Sequence, residues 1–204
     1  GLSLGGTILL NACLGIKSQS TNSSTLLDGL ICVSSPLDLA LCSASIERPR
    51  NSLYQYWLLN RLIRQTLADP FGISDEENSL FASKGYFDLR KIKSIREFDS
   101  IITAPRWGFE GVDDYYHIAS PLRFLLEKSN VLPKTFFIQA LDDPWVPAEP
   151  LKKLYDQINY TDLSKKLKII LTTTGGHNGF HGRNGCWGDD LVRNLLISIS
   201  NSAF

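Results

Sequence analysis

The chain opens with Gly1-Leu2-Ser3-Leu4-Gly5-Gly6, followed by the apolar run Ile8-Leu9-Leu10. Its first five residues have the form G-x-S-x-G. In that pattern a serine occupies a tight, strained turn between a strand and a helix, and small residues two before and two after it let the chain pack closely. The turn holds Oγ at the carboxyl edge of a sheet. The helix N-terminus behind it favours developing negative charge, and the N–H of the next residue, Leu4, is the expected oxyanion donor. Alone, the pentapeptide is equally a glycine-rich turn before a helix, so its meaning depends on the rest of the chain. The apolar run predicts a helix from Ser3 to about Gly15, buried against a sheet.

Three later segments read as buried strands: Leu30-Ile31-Cys32-Val33-Ser34, Thr135-Phe136-Phe137-Ile138-Gln139-Ala140 and Leu167-Lys168-Ile169-Ile170-Leu171-Thr172. The first two are nearly continuous apolar runs, as in parallel strands covered on both faces. Helical patterns accompany them over Glu149–Ile158 and Asp189–Ser200, the latter with Leu191, Leu195, Leu196 and Ile199 as its apolar stripe. Strands alternating with helices predict an α/β domain with a mostly parallel sheet of three strands. The interval from about residue 37 to 130 is too long for one crossover and is rich in helix signals, so an inserted helical cap is expected there. Asn51 or Ser52 is placed to cap a helix with Leu53, Trp57, Leu58 and Leu62 on one face. Ser74-Asp75-Glu76-Glu77 has the form of a capping box, and Ser120-Pro121 that of an N-cap followed by proline in the first helical position. Within the cap, Tyr54, Trp57 and Tyr115 are candidate walls for an apolar pocket, or simply core.

Two further residue types complete a pattern with Ser3. Asp142 and Asp143 follow the second strand, in Leu141-Asp142-Asp143-Pro144-Trp145-Val146-Pro147. A carboxylate at the C-terminal end of a parallel strand stands where open α/β sheets build their sites, although aspartate before proline is also a common turn. His177 follows the third strand, in Gly175-Gly176-His177-Asn178-Gly179-Phe180-His181, with glycines that leave the imidazole on a bare loop. Imidazole is suited to taking a proton from serine near neutral pH and returning it. Of the other histidines, His117 falls in a helical pattern of the cap and reads as a surface or packing residue. His177 and His181 are four apart, but Gly179 intervenes and no third ligand is near, so no metal is expected. Serine, acid and histidine thus occur in one order, each after its own element.

Bulk composition excludes other classes. Lys plus Arg and Asp plus Glu are both 21, interspersed, so no nucleic-acid footprint is present. The four cysteines (Cys13, Cys32, Cys42, Cys186) form no CxxC pair, which fits a reducing, cytoplasmic setting. Ile8–Ile16 is too short to span a bilayer and has no signal-peptide flank. The chain lacks methionine and starts on the motif's first glycine, so it is expected to be part of a longer protein.

Taken together, GLSLGG at 1–6, VSSPLDL at 33–39, EFDSIITAP at 97–105, GFEGVDDYYHIAS at 108–120, QALDDPWVP at 139–147 and GGHNGF at 175–180 resemble the YheT-like branch of the α/β-hydrolases. The resemblance runs the length of the chain and implies the C-terminal part of that fold. It implies Ser3 as nucleophile, His177 as base and Asp143 as acid, since the D-P-x-x-P form recurs in the fold with its first aspartate in that role; Asp142 is the one-residue alternative. It further implies hydrolysis of a small-molecule ester or thioester with a medium-length or lipid-like acyl group, without metal or organic cofactor. Acyl transfer to an alcohol is one rival, and a catalytically dead interaction module is another. In the family a loop before the elbow supplies the second oxyanion donor. This chain alone is therefore expected to be inactive or poorly folded.

Overall fold

The computed structural model describes residues 1–16, 27–69, 92–128, 131–158, 166–183 and 185–201. They form two compact units, Gly1–Leu39 with Ala119–Phe204, and Ala40–Ile118.

The first unit is an α/β layer structure. Its strands β1 (Gly29–Val33), β2 (Lys134–Ala140) and β3 (Leu167–Thr172) pair in parallel in the order β1-β2-β3. Val33 stands opposite Ile138, and Ala140 opposite Thr172, so the three strands end together along one edge. Alternate side chains supply two cores. Leu30, Cys32, Phe137 and Leu167 pack with Leu10 of helix α1 (Leu4–Ile16), Leu125 of the helix Leu122–Lys128, and Leu151, Leu154 and Ile158 of the helix Glu149–Ile158. Ile31, Val33, Phe136, Ile138 and Ala140 pack on the other face with Phe180 and with Ile199 of the helix Trp187–Ser200. Each such side chain contributes about 1.5–3 kcal/mol on burial, which is why β1 and β2 carry almost no polar residue. Thr135 and Gln139 are the buried polar exceptions, both in β2.

Some expectations need correcting. In α1 only one side faces the sheet: Thr7 and Leu10 are buried with Cys13 and Leu14 alongside, whereas Ile8 and Leu9 are exposed, because they lie off the i, i+3, i+7 line. In Trp187–Ser200 the packed stripe is Leu191, Val192, Leu195 and Ile199, and Leu196 is exposed. Leu122–Lys128, placed with the cap on sequence, packs into the sheet's own core, and the Ser120 hydroxyl accepts the Leu39 N–H at 2.9 Å.

Among its described residues the second unit holds helices and no strand. Helix α2 is Leu39–Ile46 and α3 is Ser52–Leu67. The four residues grouped on one face of α3 do not share one environment, and Leu58 and Leu62 are half-buried. Leu59, Ile63 and Thr66 are buried, while Leu53 and Trp57 are exposed. The helix carries apolar residues nearly all round, so periodicity alone does not choose its face. Ile95–Phe98 is α-helical with Ser94 accepting the Glu97 N–H, Asp99–Thr103 is π-helical, and Ala104–Arg106 is α-helical again. Tyr116, on the helix Val112–Ala119, donates to Asp99 Oδ2 at 2.8 Å, and Thr103 donates to Asp99 Oδ1 at 2.7 Å. The expected capping box at 74–77 lies outside the described residues.

Candidate active site

Ser3 sits between a strand-like approach and α1. Gly1 donates to Ile31 O at 2.7 Å, Val33 donates to Gly1 O at 2.9 Å and Ser3 donates to Val33 O at 2.8 Å, a short parallel ladder beside β1. The chain then turns at Ser3 with φ +48° and enters the helix at Leu4. A non-glycine residue in that region is strained, and such strain persists only where the surroundings enforce it. Two glycines allow the turn. A Cβ on Gly1 would lie 2.6 Å from the Gly6 backbone, and one on Gly6 would lie 2.0 Å from Ser35 Oγ. Gly5, the motif's second glycine, meets nothing within 4 Å, so the close packing expected of it belongs to Gly6 instead. The Leu4 N–H lies in the first helical turn, whose donors have no acceptor inside the helix.

Asp143 is held just beyond β2. Its side chain is fully shielded, and both oxygens are engaged. Trp145 N–H and Val146 N–H donate to Oδ1 at 2.9 and 3.0 Å. On Oδ2, Gln139 Nε2 donates at 3.1 Å and His177 Nδ1 stands at 2.9 Å. Asp142 points elsewhere and is exposed; its Oδ1 accepts the Gly176 N–H at 2.8 Å, tying the loop after β2 to the histidine loop.

His177 bridges the other two residues, with Nδ1 on Asp143 and Nε2 3.0 Å from Ser3 Oγ. With Asp143 ionised, Nδ1 carries the ring proton, and Nε2 is left to accept the Ser3 hydroxyl hydrogen. Trp145 packs against the imidazole, centroids 4.7 Å apart and planes 56° apart. The loop is fixed by its far end: Gly179 and Phe180 donate to Gly175 O at 3.1 and 3.0 Å, and the Phe180 ring is buried against Trp187. A Cβ on Gly175 would lie 2.6 Å from that ring.

His117 is exposed on the helix Val112–Ala119, and His181 is exposed in the short strand His181–Gly182. No group of three metal-ligating side chains occurs among the described residues. All four cysteines are free thiols. Burial pushes the Cys32 thiol up to about 12, so it keeps its proton. No described helix is long and apolar enough to cross a membrane. Sequence reasoning misses Gln139 and Trp145. An amide inside the run Thr135–Ala140 is the available signal, because a polar side chain in a strand covered on both faces needs a buried partner.

No family model matches the chain. Among curated proteins it is 31% identical over 182 residues to "Putative esterase YheT" of Escherichia coli, covering 89% of this chain and 48% of that protein. It is 32% identical over 190 residues to phospholipase ABHD3 of Mus musculus, covering 92% and 40% respectively. It is 31% identical over 206 residues to monoacylglycerol lipase of Saccharomyces cerevisiae, covering 97% and 41%. The chain spans under half the length of these curated relatives.

Proposed function

The chain belongs to the YheT-like, abhydrolase-domain family of α/β-hydrolases, and from that premise we propose that it carries the nucleophile, base and acid of a carboxylic-ester hydrolase. The observation that carries the reading is the hydrogen-bonded series Ser3 Oγ, His177 Nε2, His177 Nδ1, Asp143 Oδ2, with separations of 3.0 and 2.9 Å at its two ends. A serine hydroxyl is a weak nucleophile until a positioned base accepts its proton.

The steps follow from those positions. His177 Nε2 takes the Ser3 proton as Oγ bonds to the acyl carbon of an ester or thioester. The carbonyl π electrons move to oxygen, where the Leu4 N–H donates. Collapse expels the alcohol or thiol, which receives the proton from Nε2, and leaves an acyl-serine. Water, deprotonated by the same nitrogen, reverses the sequence and releases the acid. Asp143 keeps the ring in the required tautomer and offsets the imidazolium charge. The relatives' names, a phospholipase and a monoacylglycerol lipase, favour lipid-like acyl substrates. The free thiols fit a reducing, cytoplasmic setting.

The test uses the full-length protein and a fluorophosphonate probe, with p-nitrophenyl esters of graded chain length as substrates. Labelling and turnover are expected in the wild type and lost in Ser3→Ala. Labelling that persists in Ser3→Ala overturns the assignment.

A further inference from the structure

Helix α3 presents two apolar stripes side by side, and the fold covers one of them. Leu59, Ile63 and Thr66 form the buried stripe. Leu53, Tyr56, Trp57, Asn60, Arg64 and Leu67 follow i, i+3, i+4, i+7, i+11, i+14 and so fall within an arc of about 100° on a helix of 3.6 residues per turn. Of these, Leu53 is 84% exposed, Tyr56 72%, Trp57 53% and Leu67 59%. The stripe is ~21 Å long at 1.5 Å per residue. Solitary exposed apolar residues are ordinary, but here Leu53, Tyr56 and Trp57 adjoin at one end of the row, and Asn60 and Arg64 continue it to Leu67, which marks an amphipathic interaction surface.

We propose that this stripe is a docking surface for an anionic phospholipid bilayer. The inference does not depend on the esterase reading. Charge is the first argument. Residues 48–68 contain Arg48, Arg50, Arg61 and Arg64 and no acid, in a chain whose Lys plus Arg and Asp plus Glu totals are equal at 21. All four arginines are exposed. Residue type is the second. Tyr and Trp rings with a polar atom at one end settle at the boundary of headgroup and acyl chain, and leucines beside them enter the acyl region. The Arg61 guanidinium lies 5.3 Å from the Trp57 ring centroid, a cation beside the aromatic as such a boundary requires. Trp107, 77% exposed, follows Arg106, whose ion pair with Asp69 at 3.1 Å holds it beside the C-terminal end of α3. A second copy of the chain is the poorer occupant, because a symmetric contact through this stripe sets arginines against their own equivalents.

The experiment is co-sedimentation of the full-length protein with vesicles of phosphatidylcholine and phosphatidylglycerol, and with vesicles of phosphatidylcholine alone, at low and high salt. Two variants accompany it, Leu53→Ser/Tyr56→Ser and Arg61→Gln/Arg64→Gln, each checked for an unchanged melting transition. Binding is expected on the anionic vesicles, weakened by salt and roughly tenfold weaker in each variant. Three results overturn the proposal. One is no binding to anionic vesicles at low salt. Another is binding unchanged in both variants. The third is intact vesicle binding while the variants lose either self-association in light scattering or turnover of a soluble short-chain ester, which would make the stripe a dimer contact or an acyl-site wall.

Discussion

Gln139 Nε2 and His177 Nδ1 meet the same oxygen, Asp143 Oδ2, at 3.1 and 2.9 Å. The amide is 2% exposed and also donates to Val146 O at 3.2 Å, so it braces the acid loop from inside the sheet. Gln139→Leu removes these donors without touching substrate. A hydrogen bond to a charged group is worth roughly 1.5–3 kcal/mol, and losing the brace lets the acid drift from the imidazole. Steady-state kinetics on a p-nitrophenyl ester is expected to show kcat about tenfold lower with KM unchanged. Partial misfolding also lowers kcat alone, so the active fraction is counted with the fluorophosphonate probe: a loss of labelled serine equal to the loss in kcat overturns the bracing role.

The neighbouring acids should separate cleanly. Asp143 accepts two backbone N–H groups and faces the imidazole, while Asp142 only tethers the Gly176 N–H. Asp143→Asn puts an amide where the ring needs an acceptor and favours the wrong tautomer. A loss in kcat on the order of 10⁴-fold is expected. Asp142→Asn retains an oxygen for Gly176 and is expected to lose less than about tenfold. If Asp142→Asn proves the more damaging, the acid assignment is reversed.

How far the sequence speaks for itself depends on the reach of each interaction. Strands β1 and β2 are legible because a sheet covered on both faces demands apolar runs, and the ends of the strand segments draw attention to Asp143 and His177. Which acid faces the ring is not legible, since adjacent residues differ only in where the turn after Ala140 points them. Which side of α3 packs is not legible for a local reason: Leu53, Trp57, Leu58, Leu59, Leu62, Ile63 and Leu67 surround most of the helix, and only packing selects Leu59 and Ile63. The π-helical turn at Asp99–Thr103 leaves no periodic trace, because it shifts register by a single residue inside a helical run.

The two glycines after Leu4 are expected to differ in opposite directions. Gly6→Ala forces a methyl to 2.0 Å from Ser35 Oγ and 2.8 Å from Ser35 Cβ, and the buried serine has little room to yield. Overpacking of this kind costs typically 1–3 kcal/mol. Gly5→Ala meets open space within a helix and gains up to about 1 kcal/mol from helix propensity. Calorimetry of the full-length variants checks both signs. A Gly6→Ala melting point equal to the wild type would show that Ser35 swings aside, and the elbow would then be looser than its geometry indicates.

Asp99 predicts a pH-dependent stability independent of catalysis. Burial raises its carboxyl above the ordinary value of 3.8, against the lowering effect of hydrogen bonds from Thr103 and Tyr116. Tyr116 is itself pushed upward, by burial first and then by Asp99. A folded-state pKa raised above the unfolded one means the native state holds the proton longer. The stability it contributes is complete below about 3.8 and is lost as pH rises through the raised folded value. Asp99→Asn removes the buried charge and keeps an oxygen to accept from Thr103, while its amide can donate to the Tyr116 hydroxyl, which can turn toward Ser43 Oγ, 3.1 Å away. The melting temperature of the variant relative to the wild type is therefore expected to climb as pH rises from the acid side to neutrality. A constant difference across that window would mean that Asp99 keeps its charge in the fold at no cost, with the Thr103 and Tyr116 hydroxyls compensating for the lost water.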